Sequence, residues 1–355
     1  MSLLFSPFSL RSVTFPNRLW VSPMCMYSAV DGLVQEWHHA HLAQFASGGA
    51  GLIVAEATSV VPEGRISPRD TGIWDDEQRD AWAPIVQAIH HRGSLAGIQL
   101  AHAGRKASTW WPWADERGSV AEADGGWQTV APSAIAFEGF DEPVALDAAG
   151  IERVVDGFAA AARRALDAGF DVLELHGAHG YLLHQFLSPL SNQRADEYGG
   201  TLANRARLLL RIIDEVRAVA GDGVPVFVRI SATDHADGGF APEEAAQVAD
   251  WAIEHGADLI DVSSGGLVAH QRIDAHPGYQ VPLAATVRRS GRVPVSAVGL
   301  ITAAEQAEQV LSEGAADAIF AGREWLRDPH FGLRAAHELD AETDWPPQYL
   351  RARWR

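Results

Sequence analysis

The sequence is poor in cysteine and in basic residues, and each shortage removes a class of function. Cys25 is the only cysteine. An intramolecular disulfide and a multi-cysteine zinc or iron–sulfur site are therefore both excluded. Lysine and arginine number 28 against 46 aspartates and glutamates, a net charge of −18. A nucleic-acid footprint needs the opposite sign, so no nucleic-acid partner is expected. An anionic ligand would have to be met by a local cluster of arginines or backbone amides. No apolar run reaches the ~18 residues that suggest a membrane span. The stretch from Met1 to Arg18 lacks the charged start and apolar core of a signal peptide. No membrane partner is expected, and the reducing cytoplasm is the expected compartment.

What is present is a globular composition, 47% hydrophobic and 21% charged over 355 residues. Short apolar runs alternate with alanine-rich amphipathic stretches. Strands are predicted at Leu19–Pro23, Leu52–Glu56, Leu95–Leu100, Val172–His176, Val226–Ile230, Leu259–Val262, Val295–Val298 and Ala318–Ala321. The runs are continuous rather than alternating, as in parallel strands covered on both faces. Helices are predicted at His38–Ser47, Asp76–Arg92, Asp147–Ala168, Ala203–Val219, Pro242–His255, Leu283–Ser290 and Ala303–Ser312. Thr302 with Glu305 three residues on reads as a capping box. Pro242 suits a first helical turn, and Gly169, Gly256 and Gly314 suit helix ends. Repeated βα units predict an α/β fold, a closed (β/α)8 TIM barrel with its site at the C-terminal strand ends. An open doubly wound sheet is the alternative, but no G-x-G-x-x-G follows the first strand.

Two stretches break the rhythm. Residues Arg105 to Pro143, after the third strand, are long and rich in tryptophan and glycine. They read as a lid or small hairpin over the barrel mouth, or as a packed excursion without a role. The tail, Thr343 to Arg355, carries Trp345, Tyr349 and Trp354 and is too apolar for a free end. It is expected to dock on its own barrel or on a neighbouring subunit.

Polar residues at the strand ends are the candidates for chemistry. After the fourth strand come His176, His179 and Tyr181. Two imidazoles can hydrogen-bond a carbonyl oxygen and stabilise developing negative charge. A phenol can deliver a proton to carbon. The competing readings are a metal pair, which would need Glu56 or Glu174 as a third ligand, and loop histidines satisfied by the backbone. Gly299 and Gly322, at the seventh and eighth strand ends, permit close backbone approach, and Arg323 offers a bidentate contact, so phosphate is expected there. Arg229 and Gln99 interrupt buried strands. Arg229 needs an anion or an electron-rich cofactor edge. Gln99 suits either a flavin pyrimidine edge or an amide bond to the next strand.

At these residues the chain resembles the Old Yellow Enzyme family of flavoproteins, in its cysteine-containing branch with the xenobiotic reductases. The segments that carry the resemblance are Ser22-Pro23-Met24-Cys25-Met26-Tyr27, His102-Ala103-Gly104-Arg105-Lys106, His176-Gly177-Ala178-His179-Gly180-Tyr181-Leu182, Ser191 to Arg194, Asp196 to Gly200, Ala321-Gly322-Arg323 and Pro347 to Arg351. The resemblance covers nearly the whole chain, 1–355, as a single FMN-binding domain. It implies FMN at the barrel mouth, with Ser22, Pro23, Met24, Cys25, Ala57, Gln99 and Arg229 around the ring. Gly299, Gly322 and Arg323 would hold the phosphate. Cys25 would lie beside the ring and tune its potential.

The same resemblance implies an ene-reductase. NADPH or NADH would donate hydride, and an activated alkene, such as an α,β-unsaturated carbonyl, would be reduced. His176 and His179 would hold its carbonyl, Tyr181 would protonate its α-carbon, and Tyr27 would contact it. Arg351 would reach a neighbour's site in a homodimer or homotetramer, although Arg353 and Trp354 compete for that place. A metal-dependent barrel hydrolase or lyase using His176 and His179 as ligands is the rival from another class, and a flavin-binding protein without turnover is the third. A dienoyl-CoA reductase is not expected, because its iron–sulfur cluster needs more than one cysteine and its extra domains need more chain.

Overall fold

The computed structural model describes residues 2–289 and 293–354. Eight parallel strands close a barrel: β1 (Leu19–Val21), β2 (Leu52–Ser59), β3 (Leu95–Ala101), β4 (Val172–Gly177), β5 (Val226–Ser231), β6 (Leu259–Ser263), β7 (Val295–Ala297) and β8 (Ala318–Ala321). They pair in sequence order, and β8 returns to β1. The expected (β/α)8 barrel is the observed one. Every barrel strand is buried on both faces, which explains its continuous apolar run.

Helices cover the strands: α1 (Glu36–Ser47), α2 (Asp76–His90), α3 (Ala148–Asp167), α4 (Leu202–Ala220), α5 (Pro242–Glu254), α6 (Val281–Arg288), α7 (Ala304–Ser312) and α8 (Phe331–Glu338). Side chains of Asp75, Asp147 and Thr201 cap α2, α3 and α4 by accepting from N–H groups in the first turn. Gly169, Gly256 and Gly314 follow helix ends in the left-handed region. The predicted capping box at Thr302 does not form. Helix α7 starts one residue later, on Ala303 as its cap. The Thr302 N–H instead donates to Gln306 Oε1 at 3.1 Å. The expected end of α6 at Ser290 lies outside the described residues.

A hairpin that was not predicted, Phe8–Leu10 with Val13–Phe15, closes the barrel at the N-terminal strand ends. Phe15, Trp20, Phe227 and Phe320 form a fully buried floor there with Leu52, Val172 and Leu259. Trp20 stacks on Phe227 at 5.8 Å and meets Phe320 edge-on at 5.3 Å. Ring pairs of this geometry add to the area they bury.

The excursion after β3 carries a one-turn helix at Gly104–Lys106, an antiparallel bridge between Thr109 and Ser119, and a short parallel pair, Val130–Ala131 with Val144–Ala145. The tail folds back on α8. Trp354 lies flat against His337 at 5.1 Å, and Tyr349 meets His330 edge-on at 5.5 Å. Arg355 lies outside the described residues. Among the described residues, no helix is long and apolar enough to cross a membrane.

Candidate active site

The C-terminal strand ends surround a cavity of about 360 Å³, within the usual range for small-molecule sites. Its walls include Ser22, Pro23, Met24 and Cys25 after β1, Ala57 on β2 and Gln99 on β3. His176, His179 and Tyr181 come from the β4 end, Arg229 from β5, Gly299 from β7, and Gly322 and Arg323 from β8. Twelve of the expected site residues thus face one space, and Pro23 makes thirteen. Tyr27 stands beside it, packed with Cys25 and Tyr181 against Ala57, Ala101 and Ala103. Arg351 does not. It sits in the exposed turn Pro347–Ala352, away from the cavity walls.

The strand register explains the polar floor. Ala57, Gln99 and Glu174 lie side by side across β2, β3 and β4, while His176, Arg229 and Asp261 do so across β4, β5 and β6. Gln99 Nε2 donates to Glu174 Oε1 at 2.8 Å. Arg229 Nε pairs with Asp261 Oδ2 at 2.9 Å. Each side chain thus has the protein partner the sequence left open, and each also lines the cavity. Burial raises the Glu174 and Asp261 carboxyl pKa values, against the pull of Arg229.

Strand β2 has a bulge at Glu56. It turns that carboxylate to accept from the Met26 N–H at 3.0 Å and to face His38 Nε2 at 3.3 Å. Bulges commonly re-aim a side chain beside a site. Here the bulge ties down the segment that carries Cys25. Burial, then Asp70 and Glu56, push the Cys25 thiol pKa upward, so the thiol keeps its proton. The same burial, then Cys25, raises the Tyr27 phenol.

The β4 loop makes a tight turn. His179 and Gly180 are both left-handed, at φ 59° and 76°. A side chain at 180 would put its Cβ 2.2 Å from the Gly266 carbonyl oxygen, so glycine is required there. The turn brings the His176 ring within 5.1 Å of His179 and 5.0 Å of Tyr181, all edge-on. Burial, then the Arg229 charge, lowers both imidazole pKa values well below the usual range. Both rings are therefore neutral, each with one N–H. Burial raises the Tyr181 phenol well above its ordinary value, so it carries a proton.

Below the turn, the Gly180 N–H donates to His184 Nδ1 at 2.9 Å, and His184 Nε2 faces Asp234 Oδ1 at 2.9 Å. The metal reading has no such geometry. Glu174 is held by Gln99 and Glu56 by Met26 and His38, and among the described residues no three metal-binding side chains are gathered.

The family model for the NADH:flavin oxidoreductase / NADH oxidase family matches residues 3–342. The chain belongs to this family, the Old Yellow Enzymes. The NADPH dehydrogenase of Listeria monocytogenes serotype 4b (strain CLIP80459) is 48% identical over 358 residues, covering 100% of both chains. The NADPH dehydrogenase of Bacillus subtilis (strain 168) is 48% identical over 351 residues, covering 98% of each. Among solved structures, morphinone reductase superposes with a TM-score of 0.80 at 29% identity, covering 98% of this chain and 92% of its own. Membership makes the chain an NAD(P)H-dependent flavin oxidoreductase with FMN as its cofactor.

The walls of this flavin oxidoreductase suit that cofactor. Ser22 Oγ is buried in the cavity wall without a partner among the described residues. Gly299 holds φ at 123°, which lets its backbone come close to a ligand. Arg323 has neither a hydrogen bond nor an ion pair among the described residues, and such a cation suits a phosphate. From the sequence, Glu174 was named only as a metal ligand, and Asp261 was missed. Asp261 and Glu174 sit inside apolar strand runs, and their partners are distant in the chain. Gln280 was also missed. Ser263 Oγ lies 2.8 Å from His179 Nε2 and donates to Gln280 Oε1 at 3.3 Å.

Proposed function

We propose that the enzyme reduces the C=C bond of activated alkenes, α,β-unsaturated carbonyl compounds above all, at the expense of NADPH or NADH. The observation that carries this reading is the cluster at the β4 end: two neutral imidazoles and a protonated phenol, with ring centroids 5.0 to 5.1 Å apart, on the wall of one cavity. Neutral N–H donors polarise a carbonyl without protonating it. The names of the Listeria and Bacillus relatives support NADPH as the donor.

FMN, when bound, would supply the redox chemistry, as hydride carrier between the nicotinamide and the alkene. Ser22 to Cys25, Ala57, Gln99 and Arg229 would seat its ring, with Gly299, Gly322 and Arg323 at its phosphate. His176 and His179 would hold the substrate carbonyl oxygen, and Tyr27 would flank the substrate. Tyr181 would give its proton to the α-carbon, and water would restore it.

Trp113, exposed on the excursion, meets Tyr27 edge-on at 5.7 Å, which supports a role for that loop at the rim. We read 1–355 as a single domain. We also assign the tail, 343–355, to the interface of a homodimer or homotetramer, where Arg351 would reach the neighbouring site. Its support is the exposed apolar surface of Tyr349, Leu350 and Trp354.

The test is anaerobic. NADPH should bleach the flavin of the purified enzyme, and 2-cyclohexenone should then restore its absorbance. A flavin that is reduced but not reoxidised by any activated alkene would overturn the ene-reductase reading.

A further inference from the structure

Lys106 lies beside the site, against the turn that carries His179. It ends the one-turn helix Gly104–Lys106 that leads out of β3. Its ammonium group forms no ion pair among the described residues. It donates to two carbonyl oxygens, those of His179 and Gly266, both at 2.9 Å. Its remaining side faces two rings, with Nζ 5.1 Å from the centre of Tyr181 and 4.9 Å from that of Phe137. A buried cation with no anion is costly. Burial, then neighbouring Arg105, lowers its pKa to about 8.

An anion does arise beside this ammonium during the proposed reaction. As the new C–H bond forms at the α-carbon, the Tyr181 O–H bond breaks and the phenol becomes a phenolate. The other surroundings oppose that charge, since burial, then Cys25, Tyr27 and Asp70, all disfavour it. We propose that Lys106 is the counter-ion of the Tyr181 phenolate, a positioning residue that acts on the alkene half-reaction through Tyr181. The inference rests on the ene-reductase reading. Lys106 keeps its own proton throughout, and the phenolate recovers a proton from water.

The placement is rigid, which such a role requires. The carbonyls that grip the ammonium belong to the His179–Gly180 and Gly265–Gly266 turns, whose backbones pack so closely that neither glycine has room for a side chain. A charge fixed where the opposite charge will develop needs no reorganisation when it does.

The experiment measures both half-reactions of the FMN-loaded enzyme by stopped flow in Lys106→Met, Tyr181→Phe and the double variant. Lys106→Met should slow alkene reduction roughly tenfold, a part of the ~10²–10⁴ that a placed general acid supplies. Flavin reduction by NADPH should be unchanged. In the Tyr181→Phe background, Lys106→Met should add little, and Lys106→Arg should restore most of the single-variant loss.

Equal slowing of both half-reactions, or the same loss with and without the Tyr181 hydroxyl, would overturn the inference alone. Unchanged alkene reduction in Tyr181→Phe would overturn the proton-donor reading and this inference with it. If Lys106→Met fails to retain flavin, Lys106→Gln permits the same comparison, because it keeps donors for the carbonyls and removes only the charge.

Discussion

His179 Nε2 lies 2.8 Å from Ser263 Oγ, and Ser263 passes its own hydrogen on to Gln280. Ser263 is therefore the acceptor in this pair, and His179 meets the cavity with its N–H already engaged. His176 differs. Its Nδ1 is buried without a partner, and its ring makes no hydrogen bond among the described residues. A ligand oxygen has a competitor at His179 and none at His176.

His176→Ala should therefore weaken phenolic ligands more than His179→Ala does. The loss of one hydrogen bond to a charged oxygen is about 1.5–3 kcal/mol, or ~10- to ~100-fold in affinity. Titration of the long-wavelength band that phenols form with bound flavin reads this directly. Equal affinity in wild type and His176→Ala would contradict the carbonyl-clamp role.

Arg323→Ala should loosen the flavin. The guanidinium has no protein partner among the described residues, so its removal should cost mainly the contact with phosphate. That contact is exposed, and an approximately tenfold rise in the FMN dissociation constant is expected. Release of fluorescent flavin on dilution measures it. A constant that does not change would move the phosphate away from the β8 end.

Stability should depend on pH through His102. Burial lowers its pKa to about 4, and its Nδ1 accepts from the Gly104 N–H at 3.0 Å. Its ordinary value is ~6.5, so the unfolded chain binds the extra proton between those two values. The stability from a neutral His102 is complete above pH ~6.5 and is lost as pH falls toward 4, by up to about 3 kcal/mol. Asp70, raised to about 7 mainly by burial, titrates in the opposite sense. The informative quantity is therefore the difference between wild type and His102→Asn. That difference should shrink between pH 7 and pH 5 in urea unfolding. A constant difference would show that His102 titrates normally.

Trp20→Ala should destabilise the barrel floor by about 3–5 kcal/mol, the usual cost of removing a buried aromatic. Trp20 is fully buried against Phe15, Phe227 and Phe320, and its Nε1 donates to the Asn17 carbonyl at 3.0 Å. Trp20→Phe should lose clearly less. Denaturant midpoints of the two variants give the comparison, and similar losses would mean that the ring cluster matters less than the indole hydrogen bond.

The barrel was legible because strands buried on both faces need unbroken apolar runs, and all eight runs became strands. The site was legible because such a barrel exposes its strand ends at one rim. What escaped was short or non-local. The Phe8–Phe15 hairpin has only three residues a side, too few to display a period. Helix α8 has eight residues and the helix before it, Arg323–Arg327, has five, too few to display a period. Thr302 has the residue types of a capping box, but Gln306 reached its N–H first. The Arg229–Asp261 pair joins positions far apart in sequence, and neighbouring residues carry no signal for it.

The aromatic floor beneath the barrel has one further consequence. With Trp20 and its neighbours filling the lower end, the doorway to the cavity lies at the opposite rim, among the C-terminal strand ends. In the proposed reaction, the electron donor and the molecule to be reduced would enter by that same doorway and face the same surface, so one must depart before the other arrives. Alternation of the two visitors would then be imposed by architecture, without a gate or a signal between them.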